Sequence, residues 1–218
     1  MDLFKIILHI HIIAGTIGLL SGTIVIIKKK GDKIHKKIGN FFIISMITTG
    51  LSAFVISYLH SNLFLFIVGV FTIYLTTTGY RMISLKKIHE GQKPEIIDYI
   101  LTILMLIASL SFLYIGIKNI FSGNNFGIVL CLFGTISLSL CLLDIKNFQG
   151  KTTDQFAWLK NHIGRMIGAY IAAFTAFFVV NNTFLPNVAA WTLPTIIGLF
   201  IIFRSINKIG TKPLNFKS

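Results

Sequence analysis

Three histidines stand in or beside long apolar runs: His11 lies in the first run, His35 just before the second and His162 just before the sixth. A polar side chain within a membrane span is costly, and by default it suggests a functional site with a partner. His11 precedes Gly15 by four residues and Gly18 by seven, which places it on the same helix face as these glycines. Two hypotheses fit His11 equally well: a functional group, or a neutral imidazole bonded to a neighbouring carbonyl.

A second polar set gathers at one predicted membrane boundary, at the ends of several apolar runs. Its members are His35, Tyr80, Arg81, Asp98, His162 and Arg165. Asp98 is predicted to form an ion pair with Arg165 or Arg81, partly desolvated by the headgroup region. The alternative is that boundary Arg and Tyr residues are ordinary interfacial anchors and that the basic side chains snorkel to water. No catalytic residue is assigned.

The elements that position these residues are predicted to be membrane-spanning helices. Of the 218 residues, 54% are hydrophobic and 12% are charged, whereas a soluble domain carries about 25% charged residues. A span needs about 20 apolar residues to cross a hydrocarbon core about 30 Å thick. Seven segments meet this requirement and predict an all-α, polytopic helical bundle that forms one transmembrane domain. Their approximate ranges are 3–27, 38–59, 63–85, 96–117, 126–143, 163–181 and 188–203.

Lysine and arginine fall almost entirely on one side of these spans. Eighteen lie on the side that includes the segment 28–37, and only Lys5 and Lys118 lie on the other. Basic residues concentrate on the cytoplasmic side of membrane proteins, so we expect the N-terminus outside and the C-terminus in the cytoplasm. We expect the chain in the bacterial cytoplasmic (inner) membrane, with its lysines against anionic headgroups at about 1 kcal/mol per residue. The net charge of +13 is therefore explained by the orientation of the chain in the membrane and does not indicate nucleic-acid binding.

Small residues predict where the helices pack closely, because lipid gives no hydrophobic drive for helix association. Strips of such residues occur in the sixth and the first spans: Gly164, Gly168, Ala172, Ala176, and Gly15, Gly18, Gly22. We therefore expect these two helices to form the packing centre of the bundle. The longest loop is predicted from Asp144 to Asn161. Its apolar residues do not form a periodic pattern long enough to make the core of a soluble domain.

Five stretches of the chain form a recognisable pattern. They read HIIAGTIGLLSG, KIHKKIGNFFIISM, NLFLFIVGVFTIYLTTTGYR, HIGRMIGAYIAAFTAFFVVN and WTLPTIIG. Together they resemble a bacterial family of multi-pass membrane proteins of unknown function, of the domain of unknown function 2306 type. The resemblance covers nearly all of the chain, is most specific at the Gly-Arg-Met block, and implies no activity. The family positions that it implies are His11, His35, Tyr80, Arg81, His162, Arg165, Tyr170, Asn181, Trp191 and Pro194.

Several function classes stay open at this point. The chain is predicted to be an accessory protein of a membrane complex or a bundle that handles a small molecule or ion, as a transporter does. The alternative is a b-type haem-binding redox protein, because helical bundles present axial imidazoles from facing helices. The candidate cofactor ligands are His11, His35 and His162. His60 would pair with His11, although it stands at a span end beside polar residues.

Two further classes are disfavoured. A zinc hydrolase needs three protein ligands plus water, but His11 lies about 20 Å along its helix from the cytoplasmic end. A retinal pigment needs a Schiff-base lysine, and the seventh span contains none. Cys131 and Cys141 share one apolar run and are interpreted as buried small hydrophobes.

Overall fold

The computed structural model describes residues 2–209, apart from the side chains of residues 187 and 188. These residues form seven α-helices and one short 3-10 helix, Ile88–Glu90, without a β-strand. The α-helices are α1 Leu3–Ile27, α2 Lys33–Leu59, α3 Leu63–Arg81, α4 Ile96–Phe121, α5 Phe126–Phe148, α6 Ala157–Asn181 and α7 Asn187–Asn207. All seven are long and apolar enough to cross a membrane. The predicted seven-helix, all-α class is confirmed.

The outward faces of these helices are apolar, as lipid contact requires. Ile13 is 60% exposed, Leu104 61% and Phe203 68%. Soluble proteins rarely expose large contiguous apolar patches. In hydrocarbon the same side chains are well solvated, while each helix satisfies its own backbone groups. The chain is a multi-pass membrane protein.

Several helices continue beyond the apolar runs that predicted them. The α2 helix begins at Lys33, where the Asp32 carboxylate accepts a hydrogen bond from the His35 backbone N–H at 2.7 Å. The α5 helix continues to Phe148 and α6 begins at Ala157, so the predicted long loop shrinks to residues 149–156. Helical hydrogen bonds join backbone groups and so continue through polar sequence.

The α3 helix ends at Arg81, whereas the apolar run continues to Leu85. Met82, Leu85 and Ile88 are 2%, 1% and 1% exposed and form a small core with Phe148. These apolar residues are buried by protein and not by lipid. Composition cannot distinguish those two environments, which is why the sequence overextends the third span.

The described residues fall into two compact units. Unit 1 contains the chain up to Tyr80 and from Leu159 onward, with α1, α2, α7 and nearly all of α3 and α6. Unit 2 is Arg81–Trp158 and contains α4 and α5.

In unit 1 the glycine seam of α1 packs mainly on α2. A Cβ built on Gly18 would lie 3.0 Å from Met46 Sδ. A Cβ on Gly22 would lie 2.9 Å from Phe42 Cε2 and 2.5 Å from Tyr170 Cδ2. The seam therefore reaches α6 only at Gly22. The prediction that α1 and α6 form the packing centre of the bundle is wrong, because α2 and α3 are the more deeply buried helices. The short connection after α1 brings α2 alongside it.

The small-residue strip of α6 packs on α3 and not on α1. A Cβ on Gly168 would lie 3.3 Å from Leu75 Cδ1 of α3, and one on Gly164 would meet nothing within 4 Å. The α6 helix thus uses this strip against α3 and leaves one position open. The α2 and α3 backbones also approach closely, since a Cβ on Gly50 would lie 3.2 Å from the Gly69 carbonyl oxygen.

In unit 2 the α4 and α5 helices form an antiparallel pair with close backbone contact. A Cβ on Gly116 would lie 2.9 Å from the Gly127 carbonyl oxygen, and a Cβ on Gly127 would collide with the Gly116 carbonyl oxygen. Farther along, a Cβ on Gly134 would lie 2.8 Å from Leu113 Cγ. Only glycine permits this approach at these positions.

Candidate functional site

His11 joins α1 to α2. Its Nδ1 lies 3.1 Å from the Thr49 carbonyl oxygen and 3.0 Å from Ser52 Oγ. A carbonyl only accepts, so Nδ1 carries the proton in the bond to Thr49. The structure therefore matches the hypothesis of an imidazole bonded to a neighbouring carbonyl. His9 is exposed, and its Nδ1 lies 2.5 Å from the Lys5 carbonyl oxygen, away from this contact.

His35 stands on the face of α2 that enters the interior of unit 1. The same face carries Phe42 and Met46, which are 3% and 0% exposed. His35 Nδ1 is buried and has no hydrogen-bond partner among the described residues. No neighbouring atom lies within 4 Å of a Cβ built on Gly39, one turn further along. The surface of α2 one turn beyond His35 is therefore unobstructed.

His162 is the second imidazole of this region, and it lies close enough to His35 for the two rings to interact electrostatically. Its Nδ1 donates to the Gly79 carbonyl oxygen of α3 at 2.8 Å. That bond fixes the tautomer and leaves the Nε2 lone pair available. A backbone carbonyl holds metal-ligating histidines in the same way.

Two aromatic side chains close this region toward the middle of the unit. Phe42 and Tyr170 lie about two turns beyond His35 and His162 on their helices, and both meet α1 at Gly22. The Tyr170 hydroxyl is hydrogen-bonded to Thr23 Oγ1 at 2.7 Å. Two turns beyond the histidines, these two aromatic side chains therefore pack against α1. We call the region of His35, Gly39 and His162 the two-histidine site.

The predicted inner-boundary cluster draws its members from both units. Tyr80 and Arg165 belong to unit 1, whereas Arg81 and Asp98 belong to unit 2. Tyr80 is 48% exposed, as an interfacial anchor should be. Arg165 is only 1% exposed, and its guanidinium carbon lies 5.5 Å from the centre of the Tyr74 ring. The snorkelling hypothesis is wrong for Arg165, because its side chain is enclosed by protein.

The ion pair predicted for Asp98 forms with Arg81 in unit 2. Arg81 Nε and Nη2 donate to the two Asp98 carboxylate oxygens at 2.8 and 2.9 Å. Asp98 also accepts from the Glu95 backbone N–H at 2.9 Å, and Arg81 Nη2 lies 3.1 Å from Glu95 Oε1. Asp98 is 3% exposed. This bidentate pair fixes the start of α4 to Arg81, and both Asp98 carboxylate oxygens accept hydrogen bonds within unit 2.

Sequence reasoning missed a buried polar group in unit 2. Asp144 is 0% exposed, and Thr102 Oγ1 donates to its Oδ2 at 3.3 Å. Asp144 was assigned to a loop because it follows an apolar run. Its three-residue spacing from buried Cys141 would have placed it on the packed face of α5.

The described residues contain no group of three or more His, Cys, Asp or Glu side chains placed to hold a metal ion. The two-histidine site therefore offers two such donors and no third. Comparison of the chain with family models, with curated proteins and with solved structures finds no match. The family resemblance stays a prediction.

Proposed function

We propose that the chain is a multi-pass protein of the bacterial cytoplasmic membrane that binds a small molecule or ion at its two-histidine site. The N-terminus would lie outside and the C-terminus in the cytoplasm. The distribution of basic residues supports this orientation, with eighteen on the side of the two-histidine site and two on the other. The site would then open toward the cytoplasm.

The observation that carries the proposal is that His35 and His162 lie within electrostatic range of each other inside unit 1. His162 is fixed by the Gly79 carbonyl, so its free nitrogen is a defined acceptor or ligand. His35 holds a buried ring nitrogen with no partner among the described residues. An unsatisfied buried polar atom costs about 1–3 kcal/mol. A ligand that bonds to this nitrogen would remove that cost.

A b-type haem is the second candidate ligand, and the number of donors favours it over zinc. Haem iron is held by axial side chains such as imidazoles, whereas a zinc site needs at least three protein ligands. Gly39 has no side chain and no atom lies within 4 Å of its Cβ position, so it would not obstruct a flat macrocycle bound to His35. His35 and His162 would hold the haem, which would supply one-electron redox chemistry when bound.

A second haem on the other side of the membrane is not part of the proposal. His11 Nδ1 is already bonded to the Thr49 carbonyl. The His60 ring lies against Phe4, with 3.9 Å between ring centres. Each of these rings thus has a contact between α1 and α2 that explains its position without a ligand.

Native mass spectrometry of the protein purified from haem-supplied cells tests the proposal, with an absorption spectrum of the same sample. We expect a bound ligand in the wild type, and its loss in both His35→Ala and His162→Ala. His9→Ala is the matched control, because His9 is exposed and away from the site, and it should retain the ligand.

The spectrum separates the two ligand classes. A Soret band that disappears in both variants identifies haem, and an added mass without a Soret band identifies another small ligand. A wild type without any added mass would contradict the proposal, and so would a ligand that survives both substitutions.

A further inference from the structure

The connection between α1 and α2 carries a dense positive charge at the membrane boundary. Five residues separate Ile27, the end of α1, from Lys33, the start of α2. So short a connection holds its side chains at headgroup depth. Six lysines lie in or directly after it, and all are exposed: Lys28, Lys29, Lys30, Lys33, Lys36 and Lys37.

One of these lysines has a local structural role. Lys30 Nζ donates to the Val25 and Ile26 carbonyl oxygens at 2.6 and 2.5 Å. These carbonyls belong to the last turn of α1 and lack helical partners. Lys30 therefore caps α1, and partial burial lowers its pKa. The other five form what we call the lysine cluster.

Part of the lysine cluster lies at the N-terminal end of α2, where positive charge is unfavourable. Lys33, Lys36 and Lys37 lie in the first two turns of α2, where the helix dipole is positive and disfavours cations. Lys33 also lies three residues before Lys36 and four before Lys37, spacings at which like charges repel. The nearby Asp32 carboxylate accepts the His35 backbone N–H and caps the helix. One carboxylate cannot neutralise five ammonium groups, so the local arrangement is unfavourable without an anionic partner.

We infer that the lysine cluster binds the headgroups of anionic phospholipids. Because the connection lies at headgroup depth, its partner should lie in the membrane surface. Because the cluster is positively charged, that partner should be an anion. Juxtamembrane lysine groups are attracted to anionic leaflets in this way, and the attraction falls off within a Debye length. The inference does not rest on the two-histidine site, since none of these five lysines belongs to it.

Thermal unfolding in lipid nanodiscs tests the inference. We expect the wild type to unfold at a higher temperature in phosphatidylglycerol than in phosphatidylcholine, and added salt should reduce the difference. A variant with four lysines of the cluster changed to glutamine should lose this difference. The changed residues are Lys29, Lys33, Lys36 and Lys37. In phosphatidylcholine the same variant should unfold at the wild-type temperature or above it, because the repulsion at the start of α2 is relieved.

A matched variant removes the same charge elsewhere, with glutamine at Lys87, Lys93, Lys146 and Lys151. It should keep the preference for phosphatidylglycerol. Equal loss in both variants would show that only total charge matters and would overturn the inference. A wild type without any lipid preference would also overturn it, as would equal destabilisation of the four-lysine variant in both lipids. Soluble glycerol phosphate should not reproduce the stabilisation, and if it does, the partner is a free anion and not the membrane.

Discussion

At the residue scale, the interior histidines differ in how much of their bonding capacity the protein uses. His11 is bonded to a carbonyl and a hydroxyl of α2. His162 has one nitrogen bonded and the other available, and the buried nitrogen of His35 has no partner among the described residues. His11 and His162 each bond a backbone carbonyl through Nδ1, so what distinguishes the site is the unpartnered nitrogen of His35 and the electrostatic interaction of His35 with His162. We assign the ligand site to His35 and His162 on that basis.

The Arg81–Asp98 pair makes a prediction at the same scale. Arg81→Gln should lower the free energy of unfolding by about 3 kcal/mol, because it leaves the 3% exposed Asp98 carboxylate without its cation. Asp98→Asn should cost less, since the amide oxygen can still accept a hydrogen bond and Arg81 retains Glu95. Thermal unfolding in detergent measures both effects.

The double variant Arg81→Gln with Asp98→Asn is the control for this ranking. Removing both charges should destabilise the protein less than the sum of the single changes, because no buried carboxylate is left uncompensated. Strict additivity would show that the two side chains act independently and would contradict the assigned pairing.

The sequence predicted some of this chemistry and left some undecided. The spacing of His11 from Gly15 and Gly18 placed it on a packed face, and the structure agrees. The spacing could not choose between Arg81 and Arg165 as the partner of Asp98, because residue order does not give the rotation of one helix against another. It also placed Asp144 outside its helix, although that side chain is fully buried.

At the element scale, glycine contacts decide which helices approach each other. Gly127→Ala should destabilise the α4–α5 pair by about 1–3 kcal/mol, because the new methyl group would collide with the Gly116 carbonyl oxygen. A backbone atom cannot relieve the collision by changing rotamer, as a side chain could. Gly164→Ala is the matched control. Nothing lies within 4 Å of its added methyl group, and alanine favours helix by up to about 1 kcal/mol over glycine.

Unfolding temperatures of the two variants in one detergent check this prediction. We expect a clear decrease for Gly127→Ala and no change or a small increase for Gly164→Ala. A similar decrease in both variants would contradict the prediction. The lower unfolding temperature would then be a general effect of replacing glycine by alanine in these helices and not a result of the close α4–α5 contact.

Helix bounds show how far local sequence determines an element. Apolar length located all seven helices, and α1 runs over the predicted range Leu3–Ile27. The disagreements lie at the ends, where α5 continues through polar residues and α3 stops within an apolar run. Hydropathy reports the medium around a side chain, whereas a helix ends where its hydrogen bonds end.

At the scale of the whole molecule, the orientation can be tested with single cysteines. Ser122 and Lys151 are exposed and lie in connections at opposite ends of α5. In intact cells, Ser122→Cys should react with an impermeant maleimide, and Lys151→Cys should react only after permeabilisation. The wild type is the control, because its cysteines lie within α5, with Cys141 buried. The reverse labelling pattern would overturn the proposed topology.

An accessory role within a membrane complex stays a prediction, and it is compatible with either ligand class. Purification under mild conditions would reveal a stable partner, but the two-histidine site is defined by the residues of unit 1 alone. Ligand binding by the isolated chain can therefore be measured whether or not a complex exists.

The sequence by itself determined that this protein crosses the membrane seven times, and it predicted the direction. Span length and apolar content are properties of contiguous residues, and the charge bias is a property of the loops, so both can be read without a fold. The tertiary structure alone decided that His35 lies within electrostatic range of His162, that Asp98 binds Arg81, and that the α1 glycines face α2. These contacts depend on how helices distant in sequence are rotated and spaced, and that is set by the close approach of backbones at residues such as Gly50 and Gly69.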